Sequence, residues 1–360
     1  MRVRFDEQIF LLQKRGGVSR YFVELIRQFS SNSSYGIEPV IDFKSTSNEM
    51  LFELSRELDL GLKYDDRPKP LAVALESVAN SIGNSHVDLI HHTFYSKLFW
   101  QPRFRGPRVS THYDMIPELF GQKRFFINPH LSKHFYFKNV DQILAISNSA
   151  KRDLLNIWPD VDTPISITHL ASQDKPLKPF QREHGSVLFV GLRNGYKDAE
   201  TLIRAFASVP QNLRSNLRFV GGGPFTDSEK VLFAELGIAN LVSQADLSDA
   251  ELSAAYSSAH LFVFPSRYEG FGLPVLEAFQ HQCRVLLSEI EVFKEIAGDA
   301  AQYFPPGDVS ALSRMLSLAL SEDPNVNPFG ELGMHRAQEF KWSRTARLTA
   351  EIYKSLLTRS

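Results

Sequence analysis

Cysteine is almost absent from this sequence, since Cys283 is the single thiol in 360 residues. One cysteine excludes a disulfide framework and a four-cysteine zinc site, and it is typical of a reducing compartment. An excess of charge of either sign is also missing, because 40 lysines and arginines face 41 acids, for a net charge of −1. This balance argues against a general nucleic-acid binder, whose affinity comes from phosphate contacts.

Long apolar stretches are missing as well. No run approaches the roughly 18 residues that span a bilayer, and the N-terminal MRVRFDEQIF lacks the apolar core of a signal peptide. We therefore expect a cytoplasmic protein. Its length suits about two domains, and a content of 43% hydrophobic and 22% charged residues is typical of a globular chain.

Short apolar runs alternate with segments of helical period, which is typical of α/β proteins with parallel sheets. We predict strands at 36–43, 87–93, 108–113, 141–147, 186–191, 216–222, 260–266 and 283–289, with helices at 17–30, 147–157, 198–209, 227–237, 248–259 and 273–281. The pattern predicts two Rossmann-like α/β domains, 1–167 and 186–340, which face each other across a cleft. A linker at 168–185 joins them, and a C-terminal helix at 341–360 returns to the first domain.

Two loops that follow predicted strands have the composition of a phosphate site. Gly16 and Gly17 open the helix at 17–30, where glycine permits a close backbone approach and a helix N-terminus favours an anion. A plain tight turn is the alternative. Arg193 and Lys197 precede another helix, whose dipole repels cations at that end. An anion between them would explain their placement, and ordinary surface charge is the alternative.

The stretch FPSRYEGFGLPVLEA, residues 264–278, places two acids around a glycine-rich turn. An apolar strand precedes the turn, and a proline suited to the first helical turn follows it. Gly270 and Gly272 remove side chains that would block approach to the helix N-terminus. Glu269 on the loop and Glu277 in the helix could accept hydrogen bonds from sugar hydroxyls. The stretch therefore suits a ligand with both sugar and phosphate.

The same stretch resembles the signature of the retaining glycosyltransferases of GT-B fold grouped as family 4, in which two glutamates flank seven residues. Four further segments resemble that family in the same order, namely GGVSRY (16–21), VGLRNGYKDAETLIRAF (190–206), GDAAQYFPPGD (298–308) and FKW (340–342). The resemblance covers nearly the whole chain and is strongest from 187 to 308. It implies the GT-B fold and transfer from a nucleotide diphosphate sugar with retention of anomeric configuration.

The resemblance also implies a role for each matching residue. Glu277 would bind the ribose hydroxyls, and Glu269 would hold the donor sugar near its C3 hydroxyl. Cationic side chains would neutralise the diphosphate in place of a metal ion, so that no cofactor is expected. The implied donor-binding residues are Gly16, Gly17, Arg193, Lys197, Glu269, Gly270, Phe271, Gly272, Leu273 and Glu277.

The family also places a histidine after a strand of the first domain, and His91, His92 and His112 compete for that position. The segment at His112 matches with a shift of one residue, which turns a side chain to the other face of a strand. Candidate catalytic residues are Glu269, His112, Arg193 and Lys197, and candidate acceptor-binding residues are Tyr113, Asp114 and Arg20. Asp198 departs from the asparagine of the family. The Asp-x-Asp at 160–162 lies between prolines and is interpreted as a loop, so no metal site is predicted.

Residues 97–138 combine eight lysines and arginines with two acids and many aromatic residues. This composition indicates either a solvated basic face over an aromatic core or a surface for an anionic membrane or a polyanionic acceptor.

We predict a metal-independent retaining glycosyltransferase that uses a GDP- or UDP-sugar and acts on a glycan or lipid-linked glycan. The expected process is synthesis of bacterial surface polysaccharide, either lipopolysaccharide O-antigen or capsule, in the cytoplasm or at the inner face of the plasma membrane. A nucleotide-sugar epimerase or a phosphorylase on the same fold, and a non-catalytic nucleotide-sugar-binding subunit, are the alternatives. A dinucleotide dehydrogenase is disfavoured, because GGGP at 221–224 lacks the GxGxxG spacing.

Overall fold

The structure is a computed structural model that describes residues 1–65, 86–121, 129–172, 181–193 and 195–358. Its contacts divide the chain into two compact units. The first unit comprises Met1–Leu170 with Trp342–Ser360, and the second comprises Ala171–Lys341. Part of the predicted linker, residues 173–180, lies outside the described residues.

The first unit is built around a parallel sheet whose strands are β1 (Arg2–Phe5), β2 (Glu38–Val40), β5 (Leu89–His92), β6 (Arg108–His112), β7 (Gln142–Ala145) and β8 (Ile165–Ile167). Their order in space is β2–β1–β5–β6–β7–β8. A separate parallel pair consists of β3 (Ser45–Thr46) and β4 (Lys63–Tyr64). The helices described before the second unit are α1 (Gln8–Leu12), α2 (Gly17–Ser31), α3 (Glu49–Glu57), α4 (Ile116–Leu119), α5 (Lys133–Asn139) and α6 (Asn148–Ile157).

The second unit repeats this plan. Its parallel sheet consists of β9 (Glu183–Val190), β10 (Asn216–Val220), β11 (Val242–Ala245), β12 (Ala259–Phe264), β13 (Arg284–Ser288) and β14 (Gln302–Phe304), in the order β11–β10–β9–β12–β13–β14. Its helices are α7 (Ala199–Ala207), α8 (Asp227–Glu235), α9 (Asp249–Ser258), α10 (Leu273–Gln280), α11 (Glu291–Ala297), α12 (Val309–Leu320) and α13 (Gly330–Gln338).

The central strands are the ones that apolar runs predict best. Every residue of β12 and of β13 is buried, because helices cover both faces of a parallel sheet and each face needs apolar side chains. The strands missing from the prediction include β8, β11 and β14, which lie at the edges of their sheets. An edge strand is partly exposed, so its sequence needs no continuous apolar run.

The last helix, α14 (Trp342–Leu357), packs against the first unit. Its Tyr353 is fully buried, and the hydroxyl lies 2.5 Å from Nδ1 of His91 on β5. Thr345 donates a hydrogen bond to the carbonyl oxygen of His169 at 2.7 Å. Burial of a large side chain contributes roughly 1.5–3 kcal/mol, so these contacts tie the chain terminus firmly to this unit.

Each sheet has a point at which the strand order reverses, and ligands bind there in open α/β sheets, beyond the carboxyl ends of the strands. In the first sheet this point lies between β1 and β5, and in the second it lies between β9 and β12. The loops that leave β9 and β12 are residues 191–198 and 265–272. The fold therefore brings together the two loops in which the sequence analysis placed most of the donor-binding residues.

Candidate active site

Two predicted donor-binding residues meet at the reversal point of the second sheet. Lys197 lies in the loop after β9, and Glu269 lies in the loop after the neighbouring strand β12. The Nζ atom of Lys197 is 2.6 Å from Oε1 of Glu269, and the side chains are 15% and 9% exposed. Shielding from water strengthens such an ion pair relative to a surface pair. The loops thus hold a cation and a carboxylate together although 72 positions separate them.

A second ion pair, between Arg267 and Asp198, joins the same two loops and was not predicted from the sequence. The carboxylate of Asp198 accepts hydrogen bonds from Arg267 Nε at 2.8 Å and from Thr201 Oγ1 at 2.9 Å. The backbone N–H of Arg267 donates to the carbonyl oxygen of Tyr196 at 2.7 Å. The sequence did contain one signal for this pair, since an aspartate stands at position 198 where the resembling family has an asparagine. An acid that is nearly buried needs a cation beside it.

Arg193 is also engaged within the second unit. Its side chain is 5% exposed, with Nε 2.6 Å from Oε1 of Glu229, and the guanidinium donates to the carbonyl oxygens of Gly221 and Pro224 at 3.0 Å each. Partial burial alone would raise the pKa of Glu229, but hydrogen bonds from Arg193 and Thr226 lower it. A diphosphate would have to replace one of these partners.

Arg193 and Lys197 each have an anion of their own in the folded protein, which corrects the expectation from the sequence that they lack one. Glu229 pairs with Arg193, and Glu269 pairs with Lys197. Contact of the two cations with a diphosphate stays a prediction.

The glycine-rich turn before α10 has the conformation that its composition predicts. Gly272 has φ 107°, in the left-handed region that favours glycine. A Cβ at this position would lie 3.0 Å from a ring carbon of Phe293. The ring of Phe271 is buried against Phe340, with 5.8 Å between centroids. Phe271 can therefore contact a ligand only through its backbone, in line with a role for the N–H groups of Gly270 to Leu273.

Glu277 lies within α10 and is partly exposed. Its Oε2 atom is 3.1 Å from the hydroxyl of Tyr256, at the end of α9, which donates a hydrogen bond to it. No spacing rule in the sequence indicates this pair, because the residues lie on different helices.

Gly16 and Gly17 lie at the start of α2 in the first unit. Gly17 is the first helical residue and is exposed. A Cβ at Gly16 would overlap the side chain of Gln13, whose Oε1 accepts a hydrogen bond from the backbone N–H of Ser19 at 3.1 Å. A larger residue at position 16 would thus displace the end of the Gln13 side chain from this hydrogen bond. The approach of a phosphate to this turn stays a prediction.

A cavity of about 180 Å³ lies in the first unit beside the loops that follow β5 and β6, and its lining includes Phe94, Tyr95, Tyr113, Asp114, His130 and Lys133. Two predicted acceptor-binding residues are among them. The hydroxyl of Tyr113 donates to the carbonyl oxygen of Thr93 at 3.2 Å, and Oδ1 of Asp114 accepts from the backbone N–H of Ile116 at 2.9 Å. Arg20 lies on α2, is partly exposed and is not part of this lining.

The three candidate histidines are all buried, with exposed fractions of 0% for His91 and His112 and 1% for His92. His112 Nε2 lies 3.0 Å from the carbonyl oxygen of Ala150, and His92 Nδ1 lies 2.8 Å from Asp6 Oδ2. His91 lies between the hydroxyls of Tyr353 and Thr111. The position of His112 therefore does not support direct contact with a donor, and Tyr113, one residue later, lines the cavity instead.

These histidines make stability depend on pH. Burial lowers the pKa of His91 to about 3, and burial together with Lys133 holds the pKa of His112 well below 6.5. The unfolded chain binds protons at these positions near pH 6.5. The stability that these two neutral histidines contribute is therefore fully present above about pH 6.5, and it is lost progressively as the pH falls towards 3.

We expect the free energy of unfolding to fall by about 2 kcal/mol between pH 6.5 and 5.5 for the two histidines together. Chemical denaturation at each pH measures this. His112→Gln should make the decline about 1 kcal/mol smaller, which is less than half of the total, because burial also lowers the pKa of His130 and of His260 to about 4. The exposed His86 offers a matched control in His86→Gln. An equally steep decline in His112→Gln would contradict the prediction.

The region 97–138 contributes in part to the core of the first unit, while its cations Lys97, Arg103, Arg105 and Lys138 are exposed. Phe99, Tyr136 and Phe137 are buried. Arg108 donates to the carbonyl oxygens of Gln101 and Phe104, and Lys133 is 1% exposed. Residues 122–128, with two of the cations and two of the phenylalanines, lie outside the described residues. No helix that the structure describes is long and apolar enough to cross a membrane. Contact with an anionic membrane stays a prediction.

No metal-binding cluster was found in the described part of the chain, where no three His, Cys, Asp or Glu side chains are grouped suitably for an ion. Asp160 of the Asp-x-Asp is instead paired with His134 and Lys138, at 3.0 Å each.

Two α/β units, each built on a six-stranded parallel sheet, correspond to the two-domain plan of the GT-B fold. Sucrose-phosphate synthase from Thermosynechococcus elongatus has the same fold, with a TM-score of 0.76 over 100% of this chain and 99% of that chain at 19% identity. Residues 173–335 match the family model described as glycosyl transferases group 1. The chain therefore carries a glycosyl transferases group 1 domain, which covers a little under half of its length.

Two Escherichia coli proteins are similar in sequence. The serotype-specific mannosyltransferase WbdA is 28% identical over 274 residues, which are 69% of this chain and 33% of that protein. The chain thus spans about a third of the length of WbdA. The O-antigen chain mannosyltransferase B is 30% identical over 241 residues, or 62% of this chain and 63% of that protein.

Proposed function

We propose that this chain is a retaining glycosyltransferase that moves a hexose from a GDP- or UDP-sugar to a glycan or lipid-linked glycan of bacterial surface polysaccharide. The Lys197–Glu269 pair, beside the N-terminus of α10 at the reversal point of the second sheet, carries the proposal. Together these groups offer partners for a phosphate and for sugar hydroxyls. The names of the two E. coli relatives favour mannose as the sugar and O-antigen as the polysaccharide.

The proposed step is a displacement on one face of the donor sugar. The bond between the anomeric carbon and the leaving phosphate oxygen breaks, the acceptor oxygen bonds to the same face, and the leaving phosphate takes the acceptor proton. Lys197 neutralises charge that develops on the phosphate, while Glu269 holds a hydroxyl of the transferred sugar. The cations act in place of a metal ion, so metal independence is part of the proposal.

The cavity in the first unit supports the acceptor side of the proposal. Its volume of about 180 Å³ lies below the roughly 300–1,000 Å³ of sites for drug-sized ligands, so it suits a single sugar unit. The aromatic rings of Phe94 and Tyr95 and the carboxylate of Asp114 suit the apolar faces and the hydroxyls of a pyranose. The proposed acceptor therefore enters with its terminal sugar.

Thermal unfolding in the presence of GDP-mannose, UDP-glucose, ADP-glucose and dTDP-glucose tests the donor. We expect one of these to stabilise the protein by about 3 kcal/mol at a concentration 100 times its dissociation constant. The same shift with EDTA present is expected. The absence of a shift with every nucleotide sugar would contradict the proposal.

The products then separate the transferase from the alternatives. A retaining transferase yields a glycoside with the anomeric configuration of the donor, which carbon–proton coupling in NMR measures. Isomerised sugar from donor alone would indicate an epimerase, and release of sugar phosphate from a glycan with free phosphate would indicate a phosphorylase. Binding without turnover across an acceptor panel would indicate a non-catalytic subunit.

A further inference from the structure

The hydrogen bond between Tyr256 and Glu277 connects a buried residue to the edge of the candidate donor site. Tyr256 is 1% exposed, whereas Glu277 is partly exposed. The tyrosine hydroxyl is 3.1 Å from Oε2 of the glutamate and donates to it. One carboxylate oxygen of Glu277 is thus anchored from inside the second unit.

The ring of Tyr256 is itself held on two sides. The ring of His281 stacks on it with an interplanar angle of 7° and 5.9 Å between centroids. Phe262 of β12 packs edge-on at 5.5 Å. The imidazole of His281 is in turn fixed by Ser257, whose Oγ lies 2.8 Å from Nδ1. Since buried side chains are closely packed, the hydroxyl has a defined position.

Arg182 fixes the spacing between the helices that carry the pair. Its guanidinium donates to the carbonyl oxygens of Ser257 and Ala259, at the end of α9, at 3.1 and 2.9 Å. It also donates to those of His281 and Gln282, just after α10, at 2.8 Å each. A cation at two helix C-termini satisfies their unpaired carbonyls and complements both dipoles. One side chain therefore links the ends of α9 and α10.

We propose that Tyr256 is a positioning residue for nucleotide recognition. Its hydroxyl holds one oxygen of Glu277, so that the carboxylate is already oriented when the ribose arrives. A free glutamate side chain has to be ordered on binding, and preorganisation removes that cost. This inference rests on the proposed function and on the role that the family resemblance implies for Glu277, which is to bind the ribose hydroxyls.

Tyr256→Phe tests the inference, because it deletes the hydroxyl and keeps the ring and its packing. Calorimetry should compare GDP with 2′-deoxy-GDP, and UDP with 2′-deoxy-UDP. We expect the wild type to bind the ribonucleotide of its preferred base at least tenfold more tightly than the deoxy form. In Tyr256→Phe this ratio should fall three- to tenfold, through weaker ribonucleotide binding with deoxynucleotide binding nearly unchanged.

Tyr35→Phe is the matched control, because it also deletes a hydroxyl and keeps the ring. The hydroxyl of Tyr35 donates to the carbonyl oxygen of Ser343 at 3.2 Å, and both residues belong to the first unit. Its loss should lower the melting temperature without changing the ribose preference. A purely structural role for Tyr256 predicts the same behaviour for both variants.

A double variant separates action through Glu277 from other effects. On a Glu277→Gln background, Tyr256→Phe should change the ribose preference by less than twofold. An unaltered preference in the Tyr256→Phe single variant overturns the inference and leaves the proposed function standing. A wild type without any ribose preference would instead overturn the assignment of Glu277 on which the inference rests.

Discussion

Replacement of Glu269 by glutamine is expected to lower sugar transfer by at least two orders of magnitude, while nucleotide binding stays within a few-fold of the wild type. The Glu269 side chain is 9% exposed, and its carboxylate lies against Lys197. In the proposed reaction it accepts a hydrogen bond from a hydroxyl of the sugar that moves, and such contacts count most in the transition state. Loss of a single preorganised contact of this kind costs about 10²–10³ in rate.

Nucleotide binding is expected to persist because the amide leaves Lys197 in place. Without its carboxylate partner, the ammonium of Lys197 remains available to the diphosphate, so affinity for the bare nucleotide should hold or rise slightly. Initial rates and calorimetry on the same preparation measure both quantities. Glu289→Gln is the matched control, since Glu289 pairs with Lys294 at 2.9 Å on the surface of the same unit. Wild-type transfer by Glu269→Gln would refute the role.

Replacement of Glu277 by alanine should abolish nucleotide binding that calorimetry can detect. Each hydrogen bond to a charged group contributes about 1.5–3 kcal/mol, and loss of two hydroxyl contacts therefore weakens affinity by roughly 10²–10⁴. Alanine also leaves the hydroxyl of Tyr256 without its acceptor. The measurement is titration with the nucleotide that the thermal screen selects.

Glu235→Ala provides the control for this experiment, because Glu235 is exposed at the end of α8. It should bind nucleotide as the wild type does. Circular dichroism should show that Glu277→Ala is folded, since its partly exposed position predicts a small structural effect. Unchanged affinity in a folded Glu277→Ala protein would remove the ribose assignment.

The elements with the clearest local pattern were predicted well. The strand predicted at 260–266 is β12 at Ala259–Phe264, and the helix predicted at 273–281 is α10 at Leu273–Gln280. A continuous apolar run is sufficient to predict the strand. A proline just after the glycine-rich turn is sufficient to predict the start of the helix. Edge strands such as β14 were missed because a strand of three residues with one buried side chain has no pattern of its own.

His112 and Tyr113 show that a motif match cannot by itself assign the side to which a side chain points. His112 and Tyr113 are neighbours, yet one side chain packs against α6 and the other lines the cavity. Consecutive residues of an extended chain point to opposite sides. A shift of one residue in a motif match therefore exchanges a side chain that packs against α6 for one that lines the cavity, and only the fold shows which residue does which.

Local chemistry alone specified the α/β alternation, the glycine-rich turn at Gly272 and the loop positions of Lys197 and Glu269, because each depends on neighbouring residues and on strand or helix period. The partners of those charges were decided by the tertiary structure. Lys197 meets Glu269 because β9 and β12 are adjacent in the sheet, and Tyr256 meets Glu277 because α9 and α10 pack against each other, with Arg182 bonded to the ends of both. Such contacts depend on how strands and helices are ordered in space, which spacing along the chain does not encode.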